Sequence, residues 1–309
     1  MMKKMITLAL TCVLMLGVLA SCGGKNPENT TPQNNPGSGD TSDSTSAPDK
    51  TGMTGNITVI SREEGSGTRG AFIELMGIED EDGDHTTEMA EISNSTSVVL
   101  QTVAQNKNAI GYISLGSLDA SLVKAIKVNG VEATVDNINA GTYMVSRPFI
   151  LATNGTLSAV AQDFIQYILS SEGQAIVKEN GYIQVQPAGA YQPAGQSGKI
   201  TLAGSTSVSP VMEKLADAYK KLNPDVSIEI QQNGSGAGIQ ALNEGACDIG
   251  MSSRELKDSE KAAGAEPIIM ALDGIAVIVN PENSIDGLTS EQIRSIFTGE
   301  VTKWQDVSE

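Results

Sequence analysis

The stretch Asn56-Ile57-Thr58-Val59-Ile60-Ser61-Arg62-Glu63-Glu64-Gly65-Ser66-Gly67-Thr68-Arg69 decides the fold. Asn56 to Ile60 alternates polar and apolar residues, the period-two pattern of a strand. Glu64-Gly65-Ser66-Gly67-Thr68 breaks that pattern with a Gly-rich turn. The spacing then predicts a helix over Arg69–Met76. Strand, small-residue turn and helix make the repeating unit of an α/β protein.

The same unit recurs outward along the chain. A helix is expected over Ser97–Gln105, and a buried strand over Ala109–Ile113. Ser158–Leu169 puts Val160, Ala161, Phe164, Ile165, Ile168 and Leu169 on one helical stripe. Another helix, Gly173–Glu179, stops at Asn180-Gly181. Residues 186–198 are rich in Pro, Gly, Ala and Gln and read as a linker. Strand Lys199–Ala203 follows, then the turn Gly204-Ser205-Thr206-Ser207. Pro210 sits in the first turn of the next helix, where its missing N–H costs nothing. Strand Val226–Ile230 leads through Gly234-Ser235-Gly236-Ala237-Gly238 into a helix at Ile239–Glu244. Asp273–Val279 reads as a long apolar strand, and Thr289–Phe297 as a helix. This alternation means α/β with largely parallel sheets, and the chain is long enough for two lobes.

The N-terminus reads as an export signal. Lys3 and Lys4 precede an apolar run from Ile6 to Leu19, and Leu19-Ala20-Ser21-Cys22 follows. Residues 1–21 are thus expected to be a lipoprotein signal peptide, with Cys22 lipidated as the first mature residue. The run is shorter than the roughly 20 apolar residues of a membrane-spanning helix. Residues 22–54 carry almost no apolar side chains and read as a disordered tether, with a reach on the order of 30 Å. The location implied is the extracytoplasmic face of the cell membrane.

Of the three cysteines, Cys12 belongs to the signal and Cys22 to the anchor. Cys247 is left alone in an apolar stretch and reads as a buried structural thiol. The formal net charge of -17 argues against nucleic acid and against a broad basic membrane face. The acidic run Glu79–Asp84 does not fit a calcium loop: with Gly83 as the turn glycine, the first ligand position falls on Ile78. No metal site and no cofactor are expected.

Three loops share one grammar: Gly65-Ser66-Gly67-Thr68, Gly204-Ser205-Thr206-Ser207 and Gly234-Ser235-Gly236. A helix start leaves N–H groups unpaired and carries about half a positive charge. Glycines admit an anion close to the backbone, and hydroxyls add donors. Each loop alone reads as no more than an ordinary helix cap. Together, with Arg62 and Arg69 flanking one of them, they point to a tetrahedral oxyanion. No Gly-Lys-Ser/Thr follows any of them, so this is not a nucleotidase loop. The one histidine, His85, lies in the acidic run, which leaves Ser66 without a base and argues against an enzyme.

These residues resemble a known family. Ser61 to Arg69, Ala203-Gly204-Ser205-Thr206-Ser207-Val208 and Asp248-Ile249-Gly250-Met251-Ser252-Ser253-Arg254-Glu255 are similar to signatures of the phosphate-binding proteins of phosphate-specific ABC transporters, the PstS family. Asn108 to Ser114 and Leu272 to Asn280 add to the likeness. The order differs. In the family the Ala-Gly-Ser-Thr-Ser segment comes first, and the segment ending at Trp304 runs on into the Ser61–Thr68 strand. The chain therefore reads as a circular permutation, with the 186–198 linker joining the family's two ends.

The resemblance implies a two-lobed type 2 periplasmic-binding-protein fold. Its crossing strands would lie near Arg147–Ala152 and Leu272–Val279. Residues 55–149 plus 276–309 would form a split lobe, and 150–275 a continuous one. It implies a monomer that binds inorganic phosphate between the lobes and docks on a membrane permease. Carried over motif by motif, the phosphate-binding residues are Thr206, Ser207, Ser235 and Ser253 from the continuous lobe, and Arg62, Ser66, Gly67 and Thr68 from the split one. Arg62 would grip two oxygens as a planar fork. Arg69 and Arg254 are either further ligands or salt-bridge partners. Some family members hold an Asp at the position of Ser253, accepting the phosphate's proton; here a hydroxyl stands there. Alternatives are a receptor for sulfate or molybdate, or a phosphate-sensing surface lipoprotein with no transport role.

Overall fold

A computed structural model describes residues 52–307. The signal, Cys22, most of the tether and Glu309 lie outside the described residues.

Eight strands of three or more residues form one continuous path among the described residues. They are β1 (Thr58–Arg62), β2 (Glu91–Ser93), β3 (Ala109–Ser114), β4 (Ser146–Thr153), β5 (Gly198–Gly204), β6 (Val226–Gln232), β7 (Ile249–Ser252) and β8 (Glu266–Val279). The helices are α1 (Gly67–Leu75), α2 (Thr96–Gln105), α3 (Val135–Asn139), α4 (Ala159–Leu169), α5 (Ser171–Glu179), α6 (Ser209–Leu222), α7 (Ser235–Asn243), α8 (Asp258–Ala262) and α9 (Ser290–Thr298). The path runs β6-β5-β7-β4-β8-β3-β1-β2. β1 is parallel to β2 and β3, and β5 is parallel to β6 and β7. At the centre the pairing is antiparallel: β7 with β4, β4 with β8, and β8 with β3.

β8 joins the two lobes. Its residues Glu266–Gly274 pair with Thr153–Ser146, and Ile275–Val279 pair with Ser114–Ile110. The strand is twice as long as the expected Asp273–Val279. Glu266-Pro267-Ile268-Ile269-Met270-Ala271-Leu272 shows no alternation, and Pro267 lacks a ladder donor. It is tolerated because Glu266–Ile269 pair with β4 alone, which makes this end of β8 a sheet edge.

Each lobe has its own apolar core. One contains Phe72, Ile78, Ile110, Tyr112, Val277, Phe297 and Trp304. The other contains Phe149, Leu151, Phe164, Ile168, Leu202, Leu215, Tyr219 and Met251. α6 shows why such helices form. Val211, Met212, Leu215, Ala216 and Tyr219 bury one face, while Glu213, Lys214 and Lys221 do not. Each large apolar side chain so buried contributes about 1.5–3 kcal/mol over leaving it exposed. α9 is fixed at both ends, by a Thr289/Gln292 capping box and by Gly299 at a φ of 82°.

The 185–197 segment has no helix or strand, but it is tied down. The Tyr191 hydroxyl donates to Asp163 Oδ2 at 2.6 Å, and its N–H donates to Glu172 Oε2 at 2.8 Å. The two ends of the described fold also meet. The Trp304 N–H donates to the Gly55 carbonyl at 3.0 Å, and the Gly55 N–H to Gln305 Oε1 at 2.9 Å. No helix among the described residues is long and apolar enough to cross a membrane.

Candidate functional site

Four helices begin at one place between the lobes. α1 and α2 come from the β1–β3 side, and α6 and α7 from the β5–β7 side. Two begin earlier than their apolar stripes suggest. α1 starts at Gly67, so Gly67 and Thr68 form its first turn; α7 starts at Ser235, directly after Gly234 at a φ of 90°. That φ lies in the left-handed region, which suits glycine. The small-residue loops are thus the helix starts themselves, with their N–H groups unpaired by helical bonds.

Side chains from both lobes converge there. Thr68 Oγ1 lies 2.8 Å from Ser207 Oγ. Thr96 Oγ1 lies 3.0 Å from Ser207 Oγ and 3.3 Å from Thr206 Oγ1. Arg62 Nη2 donates to Thr206 Oγ1 at 3.1 Å. On the far side, the Ser205 hydroxyl donates to Ser253 Oγ at 2.9 Å, and the Ser253 N–H donates to Ser235 Oγ at 3.2 Å. The lobes also touch through backbone, where the Gly236 N–H donates to the Gly65 carbonyl at 2.9 Å. Arg62, Thr68, Thr96, Thr206, Ser207, Ser235 and Ser253 are all buried.

Gly67 is the point of closest approach. A Cβ there would lie 2.6 Å from Ser253 Oγ and would also collide with Ser235 Oγ. Any side chain there would force Ser235 and Ser253 to shift.

Arg62 departs from the expected geometry. Its fork is engaged by Glu63: Nε and Nη2 donate to the two carboxylate oxygens, both at 2.8 Å. Nε also donates to the Ser93 carbonyl at 3.2 Å. What Arg62 turns toward the hydroxyls is Nη1, 3.4 Å from Thr96 Oγ1, and the bond from Nη2 to Thr206. The ion pair with Glu63 leaves the cluster with little net formal charge. Its positive potential then rests largely on the four helix starts, each worth about half a charge. Arg62 is held in place by a Tyr112 hydroxyl that accepts from its N–H at 3.1 Å. Burial pushes the Tyr112 phenol up, so this hydroxyl keeps its proton.

Ser66 stands slightly apart. Its hydroxyl oxygen accepts from the Arg69 N–H at 3.3 Å, capping α1, and its own proton remains available to donate. Arg69 and Arg254 are salt-bridge partners. Arg69 pairs with Asp84 at 2.8 Å and donates to the Arg62 carbonyl at 2.7 Å. Arg254 grips Glu260 at 2.7 and 2.9 Å. Arg69, Asp84 and Arg254 line a groove of about 410 Å³ together with Ser66, Gly70 and Leu256.

Two residues of the cluster were not singled out as ligands from sequence: Thr96 and Ser205. Ser205 accepts from the Ser207 N–H at 3.2 Å and so shapes the start of α6. Thr96 follows Ser93-Asn94-Ser95, a fourth small polar loop between strand and helix. It carries no glycine, and glycine marked the other three.

A family model described as a PBP superfamily domain matches residues 31–172 and 189–309. A phosphate-binding protein PstS 2 of Streptococcus agalactiae is 46% identical over 312 residues, covering 99% of this chain and 98% of that protein. A crystal structure of a phosphate-binding protein of a phosphate ABC transporter, from Streptococcus pneumoniae, is 47% identical. It aligns with a TM-score of 0.67 over 82% of this chain and 100% of that one. A phosphate-binding protein PstS of Bacillus subtilis is 32% identical over 113 residues, 36% of this chain and 38% of that protein. With its two-lobed α/β architecture and full-length likeness to PstS 2, the chain belongs to the PstS family within the PBP superfamily.

Proposed function

We propose that this chain is an extracytoplasmic solute-binding lipoprotein that captures inorganic phosphate between its lobes and delivers it to an ABC permease. The observation that carries the reading is the buried hydroxyl cluster. Thr68, Thr206, Ser207 and Ser235 supply donors from both lobes at three helix starts, and Ser253 and Arg62 add theirs from the ends of β7 and β1. Ser66 and Gly67 complete the set through the first turn of α1. A tetrahedral oxyanion presents four acceptors, and such a cage meets them with hydroxyls and backbone N–H groups. Its burial penalises any ligand that leaves a donor unfilled. The moving bodies are 55–149 with 276–309, and 150–275. Binding rather than catalysis is the role: Ser66 caps a helix, and His85 is bonded to Asp80 at 2.7 Å.

Calorimetry with phosphate, sulfate and molybdate tests the reading. Phosphate binding at a stoichiometry of one, with sulfate a far weaker competitor, is expected. Equal competition by sulfate would overturn the ligand assignment and favour a general oxyanion receptor. Ser253, a hydroxyl with no carboxylate's demand for a proton, is the residue that would permit it.

We also propose that the lipid is carried on Cys22, that the protein works as a monomer, and that its segment order is a circular permutation. The bonds between Gly55 and Trp304–Gln305 support the last point. So does the contrast between a 99% match to one relative and a 36% match to another. A chain rebuilt to begin at Gly198, with residue 307 joined to Gly55, should fold and bind alike.

A further inference from the structure

We propose that Thr96 is an additional ligand-contacting residue, and that the start of α2 is a fourth helix N-terminus directed at the bound anion. The inference rests on the reading of the cluster as a phosphate site. Thr96 is 5% exposed and sits at the first position of α2, after its N-cap Ser95. Its hydroxyl lies within hydrogen-bond distance of the two residues of the opposite lobe that open α6, Thr206 and Ser207. Arg62 Nη1 donates to the Thr96 hydroxyl at 3.4 Å, and the Thr96 backbone N–H donates to Thr206 Oγ1 at 3.4 Å. Thr96 thus hydrogen-bonds to Arg62, Thr206 and Ser207 at once.

The chemistry follows from proton counting. Each hydroxyl has one proton to donate and can also accept. Thr68, Ser207, Thr96 and Thr206 form a chain of hydroxyls that bond to one another in that order. A multiply charged acceptor among them recruits those protons inward. Thr96 then donates its hydroxyl to the anion while accepting from Arg62, which polarises it. Its backbone N–H is a second donor from the same residue. Each lobe would then supply two helix starts, so the field on the anion is balanced across the cleft rather than weighted to one side.

Titration of the full chain with inorganic phosphate tests this with two variants. Thr96→Val keeps the shape and removes the hydroxyl; a loss of affinity of about 10- to 100-fold is expected, as for a hydrogen bond to a charged group. Thr96→Ser restores the hydroxyl and should bind within about 3-fold of wild type. The unliganded unfolding midpoint of both should match wild type, which a purely structural role would not give. Unchanged affinity in Thr96→Val overturns the proposal. So does an equal loss in Thr96→Ser accompanied by a lowered midpoint. If the wild-type chain itself binds no phosphate, the phosphate reading falls and takes this one with it.

Discussion

Asp273 on β8 accepts a 3.1 Å bond from Arg147 Nη2 on β4, and the two are direct cross-strand partners sealed from solvent. Ser114 Oγ adds a second donor to the carboxylate at 3.0 Å, and the Gly116 N–H a third at 3.4 Å. Burial pushes the Asp273 carboxyl up, with Arg147 opposing it; burial likewise pushes Arg147 down. The pair lies one residue before β8 changes partner. Breaking it leaves one buried group uncompensated, at a cost of about 3–5 kcal/mol. Asp273→Asn should lower urea stability by that amount. The double variant Asp273→Leu/Arg147→Met should recover most of it. A single variant as stable as wild type would show that the pair is not sealed.

Gly67→Ala should separate affinity from stability. Alanine favours a helix over glycine by about 1 kcal/mol, so the unliganded lobe should be no less stable. Its methyl group, however, meets Ser253 and Ser235 across the cleft. Phosphate affinity should fall by at least about tenfold, because the lobes no longer close to the same distance. Calorimetry and thermal unfolding on one sample read both effects.

The Arg254–Glu260 pair predicts an acid-limb dependence. Partial burial pulls the Glu260 carboxyl up, but bonds from Arg254 and from the Lys257 N–H outweigh it and hold it below the usual glutamate range. The unfolded carboxyl therefore takes its proton at a higher pH than the folded one. Stability from this group is complete above the ordinary value of about 4.3 and is lost as pH falls through the folded value. Urea midpoints between about pH 3 and 7 should drop less steeply in Glu260→Gln than in wild type.

Cys247 should be inert in the native protein. Burial pushes its thiol up to about 11, so the nucleophilic thiolate is scarce at neutral pH. Its sulfur lies 3.8 Å from the Gly238 carbonyl under α7. Peptide mapping after treatment with a maleimide should find Cys247 unmodified in buffer and modified in urea. Rapid native labelling would show that α7 opens.

What the sequence disclosed follows from how locally each feature is encoded. Thr68, Thr206 and Ser235 were legible because glycine and hydroxyl residues sit together just before an apolar helical stripe. Thr96 was not, because β2 is a three-residue strand with two exposed positions and gives almost no periodic signal before its loop. The Arg62–Glu63 pair could not be read either. Adjacent residues in a strand point to opposite faces. They meet here only because β1 ends at Arg62, freeing Glu63 to turn back. The first half of β8 was hidden by Pro267 and by an apolar run with no period. Arg69 and Arg254 carried charge in suggestive places, but their partners, Asp84 and Glu260, are fixed by tertiary packing around loops.

The shared strand β8 also sets an order of events during folding. It lies between β4 and β3, so the strands made before it form two separate sheets, β6-β5-β7-β4 and β3-β1-β2. Each of these has an unpaired apolar edge: Phe149 to Ala152 on one, Ala109 to Ile113 on the other. Such edges are templates for pairing with a neighbouring chain. They stay open until the residues up to Val279 have joined the fold, late in a chain of 309. A chain whose segment from Glu266 onward has not yet folded in should therefore be the form most prone to pair with a neighbour, even though most of its residues are already in place.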